Sequence, residues 1–81
     1  MTDGKQPATS VHIHAPAPVL VTVFVKHRHG RKWYHSAEFR ESAEAMTHAL
    51  KILVNNYTKA VRVVGSYEYY DASIMWEATV R

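Results

Sequence analysis

From Val19 to Val25 the chain reads Val-Leu-Val-Thr-Val-Phe-Val, a β-branched and aromatic run of the kind that forms a strand. Side chains alternate along a strand, so Val19, Val21, Val23 and Val25 share one face and Leu20, Thr22, Phe24 and Lys26 the other. A second run, Trp33 to Phe39, sets Trp33, His35, Ala37 and Phe39 against Tyr34, Ser36 and Glu38. Between them His29-Gly30 supplies a turn, because glycine enters positive φ without steric cost. The two runs predict a β-hairpin.

The spacing then changes to that of a helix. Ser42 is the expected N-cap and Glu44 lies in the first turn, where the helix dipole favours a carboxylate. Ala43, Met46, Leu50, Leu53 and Val54 form an apolar stripe flanked by Ala45, Ala49 and Ile52. Glu44, Thr47, His48, Lys51 and Asn55 fill the polar side, and Asn55-Asn56 is the expected stop, since asparagine tolerates the left-handed cap conformation. Ala60 to Val64 starts a third strand, with Gly65 a bend or bulge. Tyr69 to Ser73 reads as a turn. Ile74 to Val80 makes a fourth strand, in which Ile74, Trp76, Ala78 and Val80 alternate with Met75, Glu77 and Thr79.

The pattern predicts an α+β protein, a two-layer ββαββ sandwich with a four-stranded sheet and one helix packed on one face. Trp33, Trp76, Phe39 and Tyr67 are the aromatic core candidates, and His35 falls on the inward side with them. The opposite face would carry Leu20, Phe24, Tyr34, Val64 and Met75 among Thr22, Lys26, Arg62 and Arg81, which is too apolar for a plainly solvated face. The helix stripe is also wider than one sheet contact uses. Together they point to a covering partner, most simply a second copy related by a two-fold axis. Leu20, Phe24, Ile52 and Met75, with Ala49, are the interface candidates.

Residues 1–18 have a different character. Gly4, three prolines and small polar residues dominate, with only Val11 and Ile13 as large apolar side chains, so a disordered tail is expected before a single domain at 19–81. A chain of 81 residues folds as one thin-cored domain. There is no cysteine, which excludes disulfides, thiolate catalysis and sulfur-ligated metal sites. Met1 to Ser10 holds no continuous apolar stretch, and a cytoplasmic protein without a membrane span is expected. No nucleophile motif, phosphate loop or cofactor fingerprint occurs, so neither an enzyme nor a cofactor is expected. Ten Lys and Arg against seven Asp and Glu give a net charge of +3, an ordinary surface balance to which six histidines add in mildly acidic solution.

The densest chemistry lies in the turn, Lys26-His27-Arg28-His29-Gly30-Arg31-Lys32-Trp33-Tyr34-His35. Lys26, Arg28, Arg31 and Lys32 suit phosphate groups, and Tyr34, with Phe24 nearby, offers a surface on which a base can stack. His27 and His29 share a strand side and His35 approaches from the partner strand, a weak candidate set for a metal. The tail pair His12 and His14 repeats the spacing. With no cysteine or carboxylate in the turn and three cations to repel a metal ion, no metal site is expected.

Two resemblances follow from these residues. Gly30-Arg31-Lys32-Trp33, Phe39 and Ser42-Ala43-Glu44-Ala45, with Val61-Arg62-Val63-Val64 and Tyr70-Asp71 after the helix, resemble small ββαββ modules of uncharacterised bacterial proteins. Residues 20–54, a hairpin with a basic turn leading through a Phe into a helix, resemble the DNA-binding domains of phage integrases and AP2-type factors. The leading expectation is a non-catalytic, self-associating protein-interaction module. The alternative is a nucleic-acid-binding protein acting through the basic turn. Salt separates the two, because phosphate contacts weaken steeply with ionic strength and apolar contacts do not.

Overall fold

The computed structural model describes residues 17–80. The expected tail, with His12 and His14, and the expected domain's last residue, Arg81, lie outside them, apart from Ala17 and Pro18. Strand β1 is Leu20–His27, β2 Trp33–Phe39, helix α1 Ser42–Leu53, β3 Thr58–Ser66 and β4 Ser73–Thr79. One open sheet runs in the order β2-β1-β3-β4, every neighbouring pair antiparallel. The ββαββ two-layer architecture read from the sequence is the one observed. Strand β3 enters beside β1, so the helix carries the chain from edge strand β2 across β1 to the far side.

The core is small because valine and alanine build it. Val21 and Val23 of β1, Val61 and Val63 of β3, and Ala45 and Ala49 of α1 are fully buried, and Phe39, Met46, Ile52, Leu53 and Trp76 pack around them. Alanines on the helix let it sit close to the two central strands. The buried helix side therefore centres on Ala45 and Ala49. The expected stripe is turned: Leu50 and Val54 are 51% and 81% exposed, and Ala49, named as a possible interface residue, is core. Ser42 is the first helical residue rather than the N-cap, which is Glu41 without a side-chain cap bond.

Two bulges reassign the faces of the edge strands. In β2, Val23 pairs with Ala37 but Phe24 pairs with His35, so Ser36 is an extra residue and the alternation reverses across it. Phe39 and Ala37 face the helix as expected. Trp33 and His35 instead lie on the open face, and Tyr34 moves to the helix side opposite Val25. Trp33 is therefore not core, and His35 is an exposed residue 3.4 Å from Glu38. In β4, Val63 pairs with Trp76 while Val64 pairs with Ile74, so Met75 is the extra residue and Ile74, not Met75, joins the open face. Gly65 stays within β3. A methyl group there would meet Met75 Sδ at 2.8 Å and the Tyr67 hydroxyl at 3.1 Å, so both side chains lie over it on the helix side.

The turn end of the open face is partly covered by its own side chains. Lys26 Nζ lies 4.7 Å and Arg62 Cζ 4.2 Å from the Trp33 ring centre. Arg62 donates to Glu77 at 3.1 Å, and Phe24 meets the His35 ring edge-on. Leu20, Phe24 and Val64 on this face are half-buried.

Candidate nucleic-acid interface

Both ends of the sheet collect chain segments far apart in sequence. Helix α1 runs back alongside β1, so its last turn and the α1–β3 loop return to the end where the β1–β2 turn lies. Lys26, His27, Arg28, His29, Arg31 and Lys32 from the turn are joined there by Lys51 from the last helical turn and Lys59 from the start of β3. No carboxylate lies among residues 26–34, 50–60 or 78–80. The opposite end carries Glu38, Glu41, Glu44, Glu68 and Asp71, with Arg40 alone of opposite sign among the described residues. Glu77, nearer the middle, is engaged by Arg62. Among the described residues the charge is thus divided between a cationic end and an anionic end.

Between the turn and the helix terminus lies an open cleft of about 670 Å³. It exists because the helix stops at Leu53, leaving the helix side of Val25 and Tyr34 uncovered. Val25, Tyr34, Ile52 and Tyr57 supply its apolar surface, while His27, Arg28, His29, Ser36, Asn55 and Thr58 line the rest. The His27 and Tyr34 rings lie 5.2 Å apart at 38°. Tyr34 is 49% and Tyr57 75% exposed, so neither ring is spent on the core.

Backbone bonds fix both walls. Gly30 N–H donates to His27 O at 2.9 Å, closing the turn, and Arg28 N–H donates to Tyr57 O at 2.7 Å, tying the turn to the α1–β3 loop. Within that loop the Asn55 side-chain oxygen accepts the Tyr57 N–H at 2.8 Å and the Asn55 carbonyl accepts the Thr58 N–H at 3.0 Å. Asn55 thus forms an Asx turn directly after the helix, whose C-cap is Val54. Farther along, Ser36 Oγ and His48 Nε2 are 2.9 Å apart and His48 lies against Phe39. His48, expected on the solvated helix side, is half-buried.

The expected phosphate-contacting residues Lys26, Arg28, Arg31 and Lys32 all lie at the cationic end, and Tyr34 is in the cleft beside them. Lys26 is engaged over Trp33 on the open face. The interface candidates Leu20, Phe24, Ile52 and Met75 do not form one surface. Leu20 and Phe24 are on the open face, Ile52 is in the cleft, and Met75 lies over Gly65 on the helix side. The histidine set is likewise divided, with His27 and His29 in the cleft and His35 on the open face. Among the described residues no group of three or more His, Asp or Glu is placed to hold a metal. Sequence reasoning missed Tyr57, Lys51 and Lys59, whose roles depend on where the helix returns the chain. No helix among the described residues is long and apolar enough to cross a membrane. No protein-family model, curated protein or solved structure matches this chain.

Proposed function

We propose that this is a non-catalytic, cytoplasmic binding module whose cationic end takes nucleic acid. The observation that carries the reading is the segregation of charge. Lys26, Arg28, Arg31, Lys32, Lys51 and Lys59 share one end with no carboxylate among them, and the exposed Tyr34 and Tyr57 lie at the same end. Isolated surface cations on a small domain are commonly interspersed with acids for solubility. A one-signed end instead raises the local concentration of a polyanion and steers its approach.

Fluorescence anisotropy with labelled DNA across a salt series tests this. Replacing Arg28, Arg31 and Lys32 together by Ala should weaken binding on any sequence. The slope of log K against log salt should fall by about 0.7–0.9 for each phosphate that the variant no longer neutralises. The turn buries little, so the variant should unfold at the wild-type temperature. Absence of wild-type binding at low salt, where attraction is strongest, rules the reading out.

Self-association is supported by a different surface from the one the sequence suggested. The helix packs on β3, β1 and β2, leaving the helix side of β4 largely open. There Met75 and Val80 are exposed, as are Leu50 and Val54 on the helix. A second copy covering this strip would bury apolar surface that one domain leaves in water. Sedimentation at micromolar concentration distinguishes a dimer from a monomer, and a Leu50→Glu variant should shift a dimer towards monomer.

A further inference from the structure

We propose that the cleft at the cationic end seats an unpaired base, which makes the ligand class single-stranded nucleic acid rather than duplex. The inference rests on the nucleic-acid reading above and deepens it. A flat basic patch would serve a phosphate backbone alone. Here the cationic end also holds a concavity with an apolar interior, lined by Val25, Ile52, Tyr34 and Tyr57, with Arg28 the one Lys or Arg side chain in its wall. Its volume of about 670 Å³ lies within the ~300–1,000 Å³ typical of small-ligand sites. Arg28 and the two histidines stand at the rim, and no carboxylate lines the cleft to repel an anionic backbone.

The aromatic rings explain why a base is the fitting occupant. Tyr57 is three-quarters exposed and Tyr34 about half, yet Tyr34 is paired within β2 and the Tyr57 carbonyl is bonded to Arg28 N–H. The Arg28 to Tyr57 bond and the Asn55 turn hold the two sides of the cleft before any ligand arrives, so little ordering remains to be done on binding. Each base has a π-face on which such rings stack without regard to sequence. Bases in a duplex are stacked inside the helix and reach a cleft only by being flipped out, at a cost that a single strand avoids.

Anisotropy titrations with labelled oligothymidine, oligouridine, an abasic deoxy strand and a duplex of equal length separate the terms. The base-containing single strands should bind about five- to one-hundred-fold more tightly than the abasic strand, which has the phosphates alone. Tyr57→Ala should bring the base-containing strands towards the abasic affinity without changing the salt slope. Tyr34→Ala should do the same and Tyr34→Phe should retain wild-type affinity. Equal affinity for the abasic strand, tighter binding of the duplex, or a Tyr57→Ala variant with an unchanged base-to-abasic ratio overturns the base-seating proposal while leaving the phosphate reading standing. If no strand binds at low salt, both are overturned.

Discussion

Arg62 offers a direct test of whether the open face is complete in itself. Its guanidinium lies 4.2 Å from the Trp33 ring centre and donates to Glu77 at 3.1 Å, and its Nε is buried without a hydrogen-bond partner. The three features pull in different directions. A partly exposed ion pair is worth about 0.2–1 kcal/mol. The cation over the ring adds roughly 0.5–1 kcal/mol at an exposed site. An unpartnered buried N–H works against both, at about 1–3 kcal/mol. The charge therefore nets close to zero, and what remains is the aliphatic stem, which covers apolar surface between the strands. Arg62→Ala should accordingly destabilise by about 1–2 kcal/mol, lowering the melting temperature by roughly 5–15 °C for a domain of this size. Arg62→Met keeps the stem, removes the orphaned N–H and should lie within about 0.5 kcal/mol of wild type. Thermal unfolding followed by far-UV circular dichroism measures both. If Met destabilises as much as Ala, the ion pair and not the covering stem holds this face together, and the reasoning fails.

Core and edge positions give further outcomes. Val61→Ala removes two buried carbons between β1 and β4 under the helix and should cost about 2–3 kcal/mol in chemical denaturation, with an unchanged dependence on denaturant. Gly65→Ala should cost no more than about 1–2 kcal/mol in thermal unfolding, because the methyl displaces the partly exposed, flexible Met75 side chain and presses on the Tyr67 hydroxyl, while the loss of unfolded-state freedom offsets part of this. A loss above about 3 kcal/mol would mean that Met75 cannot move. Ser36→Ala should cost about 0.5–1.5 kcal/mol by leaving the half-buried His48 ring without its partner, again read from the melting temperature.

The elements were legible in the sequence because each has a strong local cause. The Val19–Val25 run, the glycine turn and the helical spacing after Phe39 act within a few residues, and the observed bounds differ by one or two positions. The faces of the edge strands were not legible. Alternation predicts a face only while the strand stays regular, and the bulges at Ser36 and Met75 are set by pairing with β1 and β3, not by any signal in β2 or β4. One extra residue in each strand moved Trp33 and His35 out, Tyr34 in, and exchanged Ile74 with Met75. The apolar content opposite the helix is exchanged and not reduced, since Trp33 and Ile74 stand there in place of Tyr34 and Met75.

The same geometry explains why half of the cationic end was visible and half was not. Lys26 to Lys32 is contiguous, so any reading of the chain finds it. Tyr57 and Lys59 lie thirty positions farther on in a plain polar Asn-Asn-Tyr-Thr-Lys segment, and Lys51 reads as an ordinary solvated helix residue. They join the turn because a helix of 12 residues, at about 1.5 Å per residue, runs about the length of the hairpin it crosses. The helix begins where β2 ends, so its last turn arrives at the β1–β2 turn, and Arg28 N–H closes the gap to Tyr57 O. A longer helix would project past the turn and cover Val25 and Tyr34. A shorter one would leave Tyr57 out of reach of Arg28. Cleft and cationic end are therefore set by one quantity, the helix length. Inserting one helical turn before Asn55 should abolish the Arg28–Tyr57 bond and close the cleft while leaving the cations of the turn in place. Amide hydrogen exchange at Arg28 reads the bond directly, and an Arg28 amide as protected in the insertion variant as in the wild type would refute the dependence on helix length.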